Sequence, residues 1–164
     1  MRYFIIPFGL IGLVFFGMMA CQEPATKTAE GDSSEAIQQK QFHASHYPKK
    51  KEAPFSDVVE LGNTYYLSGQ IGMDHTTRTL VSGGVEAETH QTLKNIEEVL
   101  ERHDLAMSDV VKVMVVLKDM KDFSTFNDIY VTYFPQRPAR TTFAAKELAA
   151  NASVEIEVVA VRDN

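Results

Sequence analysis

Val154-Glu155-Ile156-Glu157-Val158-Val159-Ala160 is the stretch whose reading decides the fold. In a strand, residues i and i+2 share a face. Val154, Ile156, Val158 and Ala160 therefore fill one face, and Glu155 and Glu157 look out of the other. Upstream, Pro138-Ala139-Arg140-Thr141-Thr142-Phe143 brings a cation into a threonine-rich strand. A planar guanidinium can hold a carboxylate with two hydrogen bonds. A nearby carboxylate can position or deprotonate a water. The same residues equally suit a structural Arg–Glu pair at an interface or a solvated strand face, and the pattern alone leaves both readings open.

Working outward, Asp109-Val110-Val111-Lys112-Val113-Met114-Val115-Val116-Leu117 is the strongest strand signal. Val111, Val113, Val115 and Leu117 make one apolar face; Val110, Met114 and Val116 make the other, broken by Lys112. Such a strand is expected to be buried on both sides. A helix is predicted from about Lys121 to Phe134, with Phe123, Phe126, Tyr130 and Tyr133 inward and Asn127 beside that stripe. Pro135 and Pro138 end it and aim the chain into the Arg140 strand. The Arg140 strand and the Glu155 strand are expected to pair as an antiparallel hairpin around Glu147–Asn151.

Earlier in the chain, Val58–Leu61 and Thr64–Leu67 flank Gly62-Asn63, a hairpin signature. Ser68-Gly69-Gln70-Ile71-Gly72 follows; its glycines suit close approach of backbone to a ligand or a neighbouring strand, or a plain bulge. A loop carries Asp74, His75, Thr76 and Thr77. Leu93, Ile96, Val99 and Leu100 then keep helical spacing from about Val85 to His103, with Glu86, Glu88, Lys94, Glu97, Glu98 and Glu101 on the other side. His90 and His103 are expected at the surface. The order strand-strand-helix-strand-helix-strand-strand is an α+β pattern. Two helices cover one sheet face but not both. Val110, Met114, Val116, Val159 and Val161 then stay uncovered, so a homo-oligomer is expected.

The first 20 residues carry one Arg and an unbroken apolar run, the pattern of an export signal. It ends Gly17-Met18-Met19-Ala20-Cys21-Gln22, which resembles a bacterial lipoprotein box with Cys21 as the lipidated residue; Met18 stands where that box usually has leucine. The expected organisation is a signal over 1–20, a lipidated cysteine and flexible tether over 21–52, and a folded domain over 53–164. Acyl chains, at about 0.8 kcal/mol per buried CH2, would hold the domain on a membrane, as an exported, envelope-anchored lipoprotein. About 31 tether residues would span roughly 30 Å. Lys49-Lys50-Lys51 reads as solvated or as a contact for anionic headgroups. His43 and His46 have metal-like spacing without further ligands nearby, so no metal site is expected.

Composition bounds the function. The net charge of −6 argues against a nucleic-acid partner, which needs clustered Lys and Arg. The single cysteine, Cys21, leaves the folded part without a disulfide or a thiolate nucleophile.

Several motifs occur together: Leu67-Ser68-Gly69-Gln70-Ile71-Gly72; Gly83-Gly84 with Glu86-Ala87-Glu88-Thr89 and Gln91-Thr92-Leu93-Lys94-Asn95-Ile96; Asp109-Val110-Val111-Lys112; Phe126-Asn127 with Tyr130; Pro138-Ala139-Arg140; and Val154-Glu155-Ile156-Glu157. In this order they resemble the RidA (YjgF) family over about Pro54 to Arg162. The resemblance implies a chorismate-mutase-like fold, two helices on one face of the sheet, and a homotrimer with sites between subunits. It implies enamine/imine deaminase activity on small 2-imino acids, giving 2-oxo acids and ammonia, with no cofactor. Arg140 matches the arginine that holds the substrate carboxylate, and Glu155 the glutamate proposed to position the water. Ser68, Gly69 and Asn127 match other pocket positions. Phe55 replaces a pocket tyrosine and Thr142 a cysteine common in the family. A small-carboxylate-binding module using the same cleft without turnover, and a ribonuclease activity reported for some relatives, are the competing readings. Arg140 and Glu155 are expected to meet across a subunit boundary.

Overall fold

The computed structural model describes residues 39–163, so the export signal over 1–20 and the lipidation of Cys21 fall outside the described residues. In chain order the elements are β1 (Lys40–His43), β2 (Val58–Leu61), β3 (Thr64–Ile71), β4 (Met73–Asp74), β5 (Thr79–Leu80), α1 (Gly84–Glu101), β6 (Val110–Leu117), α2 (Phe123–Tyr133), β7 (Ala139–Ala144) and β8 (Val154–Val161). Six strands form one mixed sheet in the order β1-β2-β3-β8-β6-β7, and β4 and β5 form a small separate ribbon. Both helices cover one face, the α+β arrangement expected from the sequence.

The core lies between that face and the helices. Val154, Ile156, Val158 and Ala160 of β8 meet Val113, Val115 and Leu117 of β6, Leu93, Ile96 and Leu100 of α1, and Phe126 and Tyr130 of α2; all are buried. Each fully buried aliphatic side chain contributes roughly 1.5–3 kcal/mol, which is why alternation in β8 fixes which way the strand faces. The β2–β3 turn places Gly62 at a positive φ of 62°, as a two-residue hairpin turn with glycine at its first position requires. The opposite sheet face carries Tyr66, Met114, Val116, Phe143 and Val159, half-buried or exposed, interleaved with Lys112, Thr141, Glu155 and Glu157. This is the uncovered apolar face anticipated above, except that Val110 is buried.

The structure corrects several expectations. First, β7 and β8 do not form a hairpin. β7 pairs with β6 in parallel, and β8 inserts antiparallel between β3 and β6. A strand–helix–strand unit returns its second strand parallel to the first, so α2 sends β7 to the far side of β6. Second, the tether does not extend to residue 52. β1 pairs with β2, from Lys40↔Leu61 to His43↔Val58, and residues up to 53 fold back as a strap over the sheet end. Third, Lys50 is not solvated. It is 8% exposed and its ammonium lies 2.7 Å from the carboxylate of Asp57, itself 4% exposed. Fourth, Val111 is exposed and Val110 buried, because the β6–β8 register shifts between Val110 and Lys112 and reverses the alternation there. Fifth, Glu88 is buried rather than on the wet side of α1; its carboxylate accepts from the Ser153 backbone N–H at 2.7 Å and from Ser153 Oγ at 2.8 Å, holding α1 to the start of β8. His90 is exposed as expected, whereas His103 is half-buried against the rings of His43 and Tyr65.

Candidate functional site

The residues singled out in the sequence fall into two groups. One sits on β7, an edge strand. The Arg140 guanidinium turns toward α2, donates to Asn127 Oδ1 at 3.0 Å, and lies 4.4 Å from the centre of the Tyr130 ring. Phe123 and Phe126 flank it at 5.6 and 5.8 Å. The aromatic wall fixes the orientation of the fork and limits its hydration. Among the described residues Arg140 has no carboxylate partner, so most of its donors stay open to an anion. Thr142, two residues along on the same face, has a buried hydroxyl without a partner among the described residues.

The second group lines a cavity of about 340 Å³ at the end of the sheet. Glu155, Gly69 and Phe55 all border it, with Phe55 half open to solvent. Gly69 matters for its missing side chain: a Cβ there would overlap Glu155 Oε1 and lie 3.1 Å from its Cγ and Cδ. Burial, with the Glu157 charge adding to it, pushes the Glu155 carboxyl above the usual glutamate value. Ser68 is not on the cavity wall; its hydroxyl donates to the Ser56 carbonyl at 2.7 Å and ties β3 to the segment just before β2.

Sequence reasoning missed the four other polar or charged cavity residues. Lys50 was hidden in a lysine run, Gln70 sits inside a glycine motif, and His75 and Arg78 lie in the β4–β5 loop. Lys50 Nζ donates to Gln70 Oε1 at 3.3 Å. His75 is 8% exposed and neither ring nitrogen has a partner among the described residues. Burial, then the charges of Lys50 and Arg78, lowers its pKa to about 4. His43 and His46, which have metal-like spacing in the sequence, bond separate carboxylates, Glu60 at 3.0 Å and Glu98 at 2.9 Å.

The two groups cannot meet within one chain. Arg140 is level with Val113, and Val113 with Val158, so Glu155 lies three residues further along β8 and two strands across. That is roughly 10 Å along the strands and about 9.5 Å between them. The side chains also point to opposite faces, Arg140 to the helices and Glu155 to the uncovered side.

A family model described as Endoribonuclease L-PSP matches residues 45–162. The mouse 2-iminobutanoate/2-iminopropanoate deaminase is 44% identical over 110 residues, covering 66% of this chain and 82% of that protein. Among solved structures, the Escherichia coli YjgF gene product matches with a TM-score of 0.69 at 31% identity, over 75% of this chain and 99% of the other. RidA from the Antarctic bacterium Psychrobacter sp. matches with a TM-score of 0.65 at 31% identity, over 77% and 98%.

Proposed function

The chain belongs to the Endoribonuclease L-PSP family, also called RidA or YjgF, and from that premise we propose that it is a cofactor-independent deaminase. It hydrolyses small 2-imino acids, and their enamine tautomers, to 2-oxo acids and ammonia. The observation that carries this reading is the Arg140 fork, oriented on three aromatic rings and Asn127 yet, among the described residues, without an acid of its own. An open bidentate cation of this kind is a carboxylate clamp.

Arg140 holds the substrate carboxylate and thereby places the imine carbon. Glu155 takes a proton from a water as its oxygen bonds to the iminium carbon and the carbon–nitrogen π pair moves onto nitrogen. Glu155 returns that proton to the nitrogen of the resulting carbinolamine; the carbon–nitrogen bond then breaks with ammonia leaving, and the hydroxyl proton passes to Glu155 as the carbonyl forms. An imine carbon is already electrophilic, so orientation and one proton acceptor suffice. The opposed placement of Arg140 and Glu155 favours a site shared between copies in a homotrimer, with the apolar sheet face as the interface. The net charge of −6 and the outward Glu155 and Glu157 disfavour a phosphodiester substrate. On the sequence pattern of residues 1–21, we further propose that Cys21 carries a lipid anchor and that the domain works at a membrane surface in the cell envelope.

The test is hydrolysis of an imine generated in situ by an amino-acid oxidase. Arg140→Ala is expected to lower turnover at least about tenfold to hundredfold, the equivalent of a charge-assisted contact. Mixing inactive Arg140→Ala and Glu155→Ala subunits is expected to restore part of the activity. No recovery in verified hybrids would refute the shared site, and full activity in Arg140→Ala would refute the deaminase mechanism itself.

A further inference from the structure

The donors lining the Glu155 cavity outnumber its acceptors. The Lys50 ammonium has three N–H groups, while Asp57 and Gln70 are the acceptors within its reach. The carboxylate of Asp57 does not border the cavity, so the lysine is held from behind. His75, neutral at pH 7, has one N–H to give and no acceptor for it among the described residues. Arg78 is exposed on the rim and forms no ion pair among the described residues. Its position is set by a tight turn: its backbone N–H donates to the Asp74 carbonyl at 2.8 Å, and the Asp74 carboxylate accepts from the N–H groups of Thr76 and Thr77. Buried donors without acceptors carry a desolvation penalty that a purely aliphatic ligand would leave in place. The cavity of about 340 Å³ is also generous for a three- or four-carbon imine, sitting in the lower part of the range that accepts drug-sized ligands.

We infer that Lys50, His75 and Arg78 form a side-chain pocket that selects 2-imino acids bearing a second carboxylate. This rests on the deaminase reading and names the substrate class of the same site. The charges pair off along such a substrate: its first carboxylate on Arg140 of a neighbouring copy, its iminium beside Glu155, and its distal carboxylate on the Lys50–His75–Arg78 wall. Apolar Phe55 and Met73 border the carbon chain between them.

The experiment compares kcat/KM of the purified full chain for 2-iminoglutarate and 2-iminobutanoate, each generated in situ by an oxidase. The dicarboxylate is expected to win by about tenfold or more, the worth of one charge-assisted contact. Arg78→Asn suits the backbone, since Arg78 has a φ of 64° and asparagine tolerates that region. It and His75→Phe should each collapse the preference, chiefly by raising KM for the dicarboxylate. Lys50→Met alone would strand the buried Asp57 charge, so the pair is removed together as Lys50→Met with Asp57→Leu. Equal or better turnover of 2-iminobutanoate by the wild type, or a preference unmoved in all three variants, overturns the inference and leaves the deaminase reading intact. A wild type inactive on both imines refutes the deaminase reading. Thermal stabilisation by 2-oxoglutarate against 2-oxobutanoate then decides the pocket: a larger shift with the dicarboxylate supports it, and an equal or smaller one overturns it.

Discussion

Gly69→Ala and Gly72→Ala form a matched pair whose effects should separate. Both glycines lie at the end of β3, and each would place a new methyl group against a glutamate. At Gly69 the obstacle is the far end of the Glu155 side chain. A rotation of that side chain relieves the overlap, so the fold survives while the carboxylate retreats by roughly 1 Å, a displacement that costs about a hundredfold in rate. At Gly72 the methyl would lie 2.5 Å from Glu88 Cα and 2.6 Å from its Cβ, on the backbone side of α1. Relief there means shifting the helix that bonds Ser153, an overpacking cost of about 1–3 kcal/mol. For a domain of this size that is several degrees in Tm. The assay is imine hydrolysis at saturating substrate beside a thermal melt on each variant. Gly69→Ala should lose about two decades of kcat with Tm within a degree or two of wild type. Gly72→Ala should lose Tm first. If Gly69→Ala keeps full kcat, the Glu155 carboxylate has no positional role and the proposed water activation is wrong.

Three further outcomes follow from groups already placed. Because Glu155 must be ionised to accept a proton, the acid limb of kcat/KM should lie above the ordinary glutamate value, and Glu157→Gln should move it to lower pH by removing the like charge; an unmoved limb would discard Glu155 as the base. His75 resists protonation in the folded state down to about 4, while the unfolded chain takes the proton near 6.5, so stability falls as pH drops through that window. The cost is roughly 2–3 kcal/mol, and denaturant melts at pH 7 and pH 4.5 should show that loss in the wild type and not in His75→Phe; an identical loss in both would place the acid sensitivity elsewhere. Cys21→Ser should release the protein from membranes or leave it unprocessed; a wild type that fractionates as soluble with its first residues intact would end the anchor proposal.

What could be read from the sequence depended on whether a residue's neighbours were local. The alternation of Val154 to Ala160 declares its buried face without help, and the Phe126, Tyr130 stripe does the same for α2. The pairing of β7 is different. Short sequence distance suggested a hairpin with β8, but α2 between β6 and β7 already demanded a parallel return, and that rule decides the sheet order. β1 gave no signal because Lys40-Gln41-Phe42-His43 has no apolar face; backbone pairing with β2, rather than burial, makes it a strand. Lys50 was invisible for a related reason: only the fold shows that Asp57 waits for it. Arg140, Glu155, Asn127, Gly69, Phe55 and Thr142 were legible as candidates for one pocket through the family resemblance. Their separation onto opposite faces needed the topology.

The strap has a consequence for any attempt to work with the domain alone. The family resemblance begins near Pro54, a natural point at which to cut for a soluble fragment. Such a fragment would leave Asp57, 4% exposed, without the ammonium 2.7 Å away that neutralises it. Removing one partner of a buried pair costs about 3–5 kcal/mol, a large part of the 5–15 kcal/mol that holds a typical domain together. It would also strip β1 from β2 and free the Glu98 carboxylate from His46 and Tyr47. A fragment trimmed at Pro54 would thus tend to aggregate through its bared β2 edge, and poor behaviour in solution would report on the cut rather than on the protein. A fragment that keeps Lys40 retains the whole strap.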